Sequence, residues 1–409
     1  MNFNKVLSAP FRYKPWRLHH LRLILGDLTG TARQPEKDHQ THLEAAIAWL
    51  CQAQDVRNEK PDAGGVSAGW SFEDGWLPSY PETSGYIIET FIAAAEVLHR
   101  PDLLDRVQRI IDWELSIQNA EGSFPGHFGE PSSRPVIFNT GQIIHGMVAG
   151  YIHLDREECL EAAVSAGHWM VACQDEDGCW RKNVHQGVPH TYNTRAAWAL
   201  LRTALIAEDP TLKQAAIRNL DWALTQQTEN GWFATNAFTP DKIPFTHTIA
   251  YAIRGLLESG LLLGDERYIA SAEKAAMALA RAQREDGWLA GTYDNGWVPK
   301  AGYCCLTGLA QTTIIWQRLG QARGTSELQL HIDRALRYLK QCHRTTPYGR
   351  PEAGGVAGSA PIWGRYSMFE FPNWAAKFFA DALMMEMKDI TIPMLLSSQT
   401  LSKAAVSHG

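Results

Sequence analysis

The chain has 409 residues, 45% of them hydrophobic and 20% charged, and a formal net charge of −6 at pH 7. That length admits two or three ordinary domains or one large helical ring. The mild acidity argues against a nucleic-acid surface, which needs a clustered basic excess, and no apolar run approaches the roughly 18 residues of a membrane span.

In chain order, residues 1–35 come first as an extension. Its start, MNFNKVLSAPFRYKPW, breaks its apolar residues with prolines and charges, so no secretory signal is expected. Trp16, His19 and His20 are expected to pack over the rim of the main fold or to complete it. The seven cysteines are odd in number and form no CxxC pair, and several fall inside apolar helical patterns. Reduced thiols and a cytoplasmic setting are the expectation.

From residue 36 to 389 the chain repeats itself. Four segments close a helical pattern with Gln and then Gly beside an aromatic: WELSIQNAEGSF from Trp113, WMVACQDEDGCW from Trp169, WALTQQTENGWF from Trp222 and ALARAQREDGWL from Ala278. Their glutamines, Gln118, Gln174, Gln227 and Gln283, lie 56, 53 and 56 residues apart. Weaker copies, AWLCQAQD at Ala48 to Asp55 and YLKQCHR at Tyr338 to Arg344, bring the units to six. Such a period suits one helical hairpin with a long loop.

Each unit has a second, apolar helical pattern, starting YPETSGYIIETF, IFNTGQIIHGMV, TYNTRAAWALLR, FTHTIAYAIRGL, PKAGYCCLTGLA and FPNWAAKFFADA. Helices with one charged face, such as LLDRVQRIIDWEL, belong outside and the apolar ones inside. Thr83, Asn139, Asn193 and Thr246 stand where caps belong. The prediction is an all-α fold, an (α/α)6 toroid over 36–389 with a tail at 390–409 that docks as a strap and then loses order. In a toroid all inner helices begin at one end, so Glu82, Asn139, Asn193, His247, Ala301 and Asn373 should converge on one mouth.

The units Gln118 to Phe124 and Gln174 to Trp180 resemble the repeat of the terpene cyclase and protein prenyltransferase toroids. The six-unit ring is also similar to (α/α)6 glycoside hydrolases, polysaccharide lyases and sugar epimerases. The motif locks loops to helices and specifies no chemistry. A terpene cyclase needs a DxDD-type acidic cluster, and the nearest stretch, Asp175 to Gly178, is mirrored by Arg284 to Gly287 and reads as architecture. The zinc site of the prenyltransferases needs an Asp that Lys300 to Cys305 lacks. No metal and no cofactor are expected.

Sugar chemistry fits the mouth better, with an oligo- or polysaccharide as partner. Glycoside hydrolysis needs paired carboxyl groups; Glu82 is the leading acid, with Glu370 as partner and Asp74 or Glu73 behind it. The Gly-rich loops Lys60 to Val66 and Arg350 to Val356 should form a wall bearing Trp70, Trp76, Trp363, Arg365 and Tyr366. Lyase or epimerase chemistry on a uronic acid would instead use a proton acceptor and a carboxylate clamp, available from Asn139, His190, Tyr192, Asn193, Arg195, His247 and Tyr303. Tyr86, Gln142, Asn373 and Trp374 complete the expected substrate surface. Of the 15 tryptophans, Trp70, Trp180, Trp288 and Trp297 are expected in the cleft, and Trp49, Trp113, Trp169 and Trp222 between the layers. An isoprenoid-binding protein and a non-catalytic glycan scaffold are the remaining alternatives.

Overall fold

The structure is a computed structural model that describes residues 11–128, 133–345 and 349–388. Its first elements are α1 (Leu18–Thr29), α2 (His39–Asp55), β1 (Gly69–Ser71), β2 (Gly75–Trp76), α3 (Pro81–Val97), α4 (Asp102–Ile117), α5 (Ile137–Leu154) and α6 (Glu157–Ala172). There follow α7 (Thr194–Ile206), α8 (Pro210–Thr225), α9 (Thr246–Leu263), α10 (Glu266–Ala282), β3 (Cys304–Cys305) and α11 (Leu306–Arg323). The last are α12 (Gln329–Cys342), β4 (Ser359–Ala360), β5 (Glu370–Pro372) and α13 (Asn373–Lys388).

The odd-numbered helices α3 to α13 are the apolar segments. Each packs on the next around a ring, and α13 packs back on α3. The even-numbered helices α2 to α12 surround them, each turning an apolar stripe inward, such as Leu103, Val107, Ile110 and Ile111 of α4. This is the predicted double layer of six inner and six outer helices.

The pairing within a hairpin differs from the sequence expectation. Inner helices α3, α5, α7, α9 and α11 each pack mainly along the outer helix that comes after them in the chain, not the one that precedes them. The reason is loop length: the turns 98–101, 155–156, 207–209, 264–265 and 324–328 are too short for anything but an antiparallel neighbour. The long Gln-Gly loops carry the chain sideways to the next position in the ring. The leftover outer helix α2 therefore has no preceding partner, and it packs on α13 at the other end of the chain.

The Gln-Gly motif is a lock between neighbouring hairpins. Gln174 Nε2 donates to Gly178 O within its own loop at 3.0 Å and to Ala215 O on the next outer helix at 2.9 Å. Gln118 and Gln227 make the same two bonds, to Gly122 and Ala162 and to Gly231 and Ser271. Gln283 reaches His331 O at 3.0 Å, and Gln54, in the weak first copy, bonds Gly64 O and Arg106 O. In the sixth copy His343 replaces Gln: Nε2 donates to Gly354 O at 2.8 Å, and Nδ1 accepts from Nδ1 of His42 on α2 at 2.8 Å. The glycine sits where a side chain has no room. At Gly287, with φ at +88°, an added Cβ would lie 2.0 Å from Arg334 O.

This corrects the reading of the two Gly-rich loops as a cleft wall. Gly64 and Gly65 press on Trp113, and Gly354 and Gly355 on Trp49, whose Nε1 donates to Pro351 O at 2.6 Å. They are the locks of the first and last units. The Asp175–Asp177 stretch is architectural as expected: both carboxylates clamp the exposed Arg181.

At the mouth, β1 pairs antiparallel with β2 and β5, joining the loop before α3 to the loop before α13. Helix α1 lies on this rim. His20 stacks on Phe72 with ring centroids 4.1 Å apart, and Asp27 accepts from Ile362 N and Arg344, each at 2.6 Å. The strap and tail expected at 390–409 lie outside the described residues. No described helix is long and apolar enough to cross a membrane.

Candidate active site

The starts of inner helices α3, α5, α9 and α13, with the turn that leads into α7, meet around a cavity of about 310 Å³. Glu82 enters it from the first turn of α3, where Pro81 at the first helical position fixes φ and needs no N–H partner. Asn139 comes from the first turn of α5, Tyr192 from the short turn that leads into α7, and His247 and Tyr251 from one face of α9. Arg365, Tyr366, Ser367 and Trp374 close the ring from the sixth unit, and Phe138, Phe238 and Phe245 add apolar wall.

Glu82 is the one carboxyl lining this cavity among the described residues. The Tyr80 hydroxyl donates to its Oε2 at 2.7 Å, and Asn139 Nδ2 in turn donates to that hydroxyl at 3.4 Å. Burial pushes the Glu82 carboxyl up to about 7, against the Tyr80 bond and the nearby Arg195 charge, which both favour the ionised form. At neutral pH it is therefore divided between acid and base. His247 is held in one tautomer: Nδ1 lies 2.9 Å from Gln311 Oε1, an atom that can only accept, so Nδ1 carries the proton and Nε2 the lone pair. Burial lowers this imidazole to about 3, so it is neutral. Trp374 Nε1 donates to the Tyr366 hydroxyl at 2.8 Å.

Beneath the cavity the ring interior is charged, which the apolar look of the inner helices concealed. Arg202 pairs with Glu89 at 2.6 Å and Lys377 with Asp381, all four fully buried, and Glu258 holds Arg254 and Arg318 at 2.6 and 3.2 Å. Arg195 is different. Its Nε donates to Gln142 Oε1 at 2.5 Å, its guanidinium lies 5.3 Å from the centroids of Trp198 and Tyr251, and one amino nitrogen meets no acceptor. It forms a positive layer below Glu82, Tyr251 and His247, outside the cavity lining.

Of the residues singled out from sequence, the cavity brings together Glu82, Tyr86, Asn139, Tyr192, His247, Arg365, Tyr366 and Trp374. Glu370 stays apart from them. It pairs in register with Ser71 across the β1–β5 ladder and feels Arg12, Glu73 and Asp74, but it does not line the cavity with Glu82. Glu73 is engaged by Arg12, and Asp74 sits in the same rim turn. Trp70 is core, wedged against His19, His20 and Phe72. Trp180 is fully buried, its Nε1 donating to Met170 O at 2.9 Å. Trp76 lies against Trp49. Gln142 is the orienter of Arg195, His190 is stacked behind Tyr192 at 4.4 Å, and Asn193 is buried at the head of α7. Asn373 ties the ring shut by donating to Ser67 O and Thr83 Oγ1.

Four others lie on the mouth but elsewhere. Trp288, under Arg284, lines a separate cavity of about 280 Å³ beside α1. Trp297 caps a loop, Nε1 donating to Asn230 O at 3.0 Å. Tyr303 and Trp363 line an outer groove of about 830 Å³ that shares Phe238, Phe245 and Arg365 with the Glu82 cavity. Trp70, Trp180, Trp288 and Trp297 do not line the inner cavity; Trp374, also expected on the substrate surface, does.

Sequence reasoning missed Tyr80, Tyr251, His127 and His185 as cavity residues. Two had a signal. Tyr80 stands two positions before Glu82, and Tyr251 stands four after His247, on the same helical face. His127 and His185 sit on long loops, where no periodicity tells which side chains turn inward.

A family model for the squalene-hopene cyclase C-terminal domain matches residues 78–267. No curated protein matches the sequence. Solved structures do match in shape. An unsaturated glucuronyl hydrolase from Bacillus sp. GL1 has a TM-score of 0.66 at 15% identity, covering 85% of this chain and 98% of its own. A Streptococcus agalactiae unsaturated glucuronyl hydrolase complexed with dGlcA-GalNAc6S has a TM-score of 0.67 at 12% identity, covering 87% and 93%. Cellobiose 2-epimerase from Bacillus thermoamylovorans B4167 has a TM-score of 0.66 at 13% identity, covering 84% and 97%. The fold is an (α/α)6 toroid. At these identities the likeness extends to the fold alone.

Proposed function

We propose that the protein is a carbohydrate-active enzyme in which Glu82 transfers a proton to or from one sugar residue seated in the inner cavity. The observation that carries this reading is a single carboxyl, poised near pH 7 and oriented by Tyr80, at the centre of an aromatic-walled cavity. Aromatic faces suit the C–H faces of a sugar ring, while Asn139, Ser367 and the His247 Nε2 lone pair offer hydrogen bonds to its hydroxyls. The outer groove through Tyr303 and Trp363 gives room for further residues of the chain.

The geometry favours reactions that one acid–base carboxyl can run. Hydrolysis by two carboxylates needs a second carboxyl about 5 to 9.5 Å from the first, and no other carboxyl lines the described cavity. Hydration of an unsaturated uronide, elimination, or epimerisation next to a carbonyl needs one group that gives up and regains a proton. The structural neighbours named for glucuronyl hydrolysis and cellobiose epimerisation support substrates of this kind. The test offers the purified protein unsaturated uronide disaccharides and reducing disaccharides, reading loss of the double-bond absorbance and change at C2 by NMR. Turnover that is abolished in Glu82→Gln supports the reading; turnover that survives it removes Glu82 from the chemistry.

A second reading, an isoprenoid cyclase, draws on the squalene-hopene cyclase match and the aromatic wall. Against it, the only acid among the described residues of the cavity is Glu82, and Arg365 stands at the opening. Conversion of a polyprenyl substrate to cyclic hydrocarbon, with no saccharide turned over, would decide for it.

A further inference from the structure

We propose that the mouth end of the protein docks on an anionic lipid surface through helix α1. The inference stands on surface chemistry alone and does not depend on the reaction assigned to Glu82.

Helix α1 has two opposite apolar faces. Leu23 and His20 are buried against the rim, and Asp27, its only acidic residue, is turned inward to Arg344 and Ile362. On the other side Leu18, Leu21, Leu25 and Leu28 are 62, 38, 45 and 67% exposed. At about 100° per residue these four fall within an arc of roughly 80°, with Arg17 at one edge and Arg22 at the other. Both arginines are exposed. Just before the helix, Phe11 and Trp16 are 76 and 61% exposed and lie edge to face.

The remaining exposed large hydrophobics are placed with the same bias. Phe128, Ile243 and Val298 sit on the long loops that lead into α5, α9 and α11, the mouth end of the ring; Leu330, at the start of α12, is the exception at the far end. A stripe of leucines flanked by arginines, with an exposed Trp beside it and single apolar side chains around the same rim, matches an interface that lies in the headgroup region. It occurs on a chain whose overall charge is −6, so the local cations are not a composition effect. A second copy of the chain is a poorer occupant. Twelve residues give a helix of about 18 Å, short for a coiled coil.

The experiment sediments the full-length protein with vesicles of phosphatidylcholine alone and of phosphatidylcholine with phosphatidylglycerol, over a range of salt. Binding is expected with phosphatidylglycerol, weakened by salt and by Arg17→Gln with Arg22→Gln, and reduced at least about tenfold in Leu21→Glu with Leu25→Glu. These side chains are exposed, so circular dichroism and thermal unfolding of the variants should match the parent. Failure to bind either vesicle, or equal binding by the leucine variant, overturns the proposal. So does a dimer in sedimentation equilibrium that the leucine variant converts to monomer without any lipid binding, which assigns the stripe to a second copy.

Discussion

The Tyr80 hydroxyl donates to Glu82 Oε2 at 2.7 Å across a single intervening residue, Pro81, which starts helix α3. This bond favours the carboxylate, whereas burial favours the acid and wins, holding the group up to about 7. Tyr80→Phe removes the opposing bond, so the Glu82 pKa rises further. The limb of the pH–rate profile that reports Glu82 should move to higher pH in Tyr80→Phe. In Glu82→Gln that limb should vanish and turnover fall about 100-fold or more. An unmoved limb in Tyr80→Phe would assign it to another group.

The same group predicts a stability effect of definite sign. The folded carboxyl titrates near 7 and an unfolded one near 4.3, so between these values only the folded state keeps the proton. Stability therefore falls as pH rises through this window and is level above it. Glu82→Gln should be more stable than the parent at pH 8, by up to about 3 kcal/mol, with the gap closing by pH 4. Urea unfolding at the two pH values checks this; a constant difference would contradict it.

The His42–His343 lock titrates in the other direction. Burial lowers His42 to about 3 and His343 to about 4, so both are neutral in the folded protein and charge on unfolding below about 6.5. Their contribution is present above pH 6.5 and is lost as pH falls toward 4 and 3. His343→Gln restores the residue used by the other locks, and its Oε1 can accept from His42 Nδ1. The variant should match the parent at pH 8 and lose less stability between pH 6.5 and 4, as read by thermal midpoints.

Glycine substitution separates locks from ordinary turns. Gly287→Ala meets both a φ of +88° and a carbonyl 2.0 Å away, whereas Gly324→Ala has a φ of +62° and open space. We expect losses of about 3 kcal/mol or more for the first and about 1 kcal/mol for the second in urea unfolding.

Two tryptophans are expected to divide binding from folding. Trp374→Ala should weaken saccharide binding by about 1 to 3 kcal/mol with a smaller change in stability. Trp180→Ala should cost about 3 to 5 kcal/mol of stability. Calorimetric titration and unfolding on both variants check the contrast.

The ring was legible because a repeat of about 55 residues with alternating charged and apolar helices has few ways to bury its faces. Glu82 was legible as a carboxylate at the start of an apolar helix. What failed was whatever depends on register or on contacts across the ring. Glu370 lies near the mouth, but strand pairing with Ser71 decides where it sits, and nothing local signals that pairing. Trp70 and Trp180 read as binding residues because an indole does not announce which side of its loop it faces. The buried pair Glu89 and Arg202 is separated by 113 positions, so nothing local in the sequence joins the two.

The packing of α2 on α13 has a consequence during synthesis. Ring closure joins residues near 40 to residues near 380, so no amino-terminal fragment emerging from the ribosome can finish the cavity. Until the last inner helix is made, α2 has an uncovered apolar stripe, and Glu82 lacks the full burial that raises its pKa. The inner cavity is thus withheld from incomplete chains, and the nascent polypeptide must keep that stripe from other surfaces while it waits.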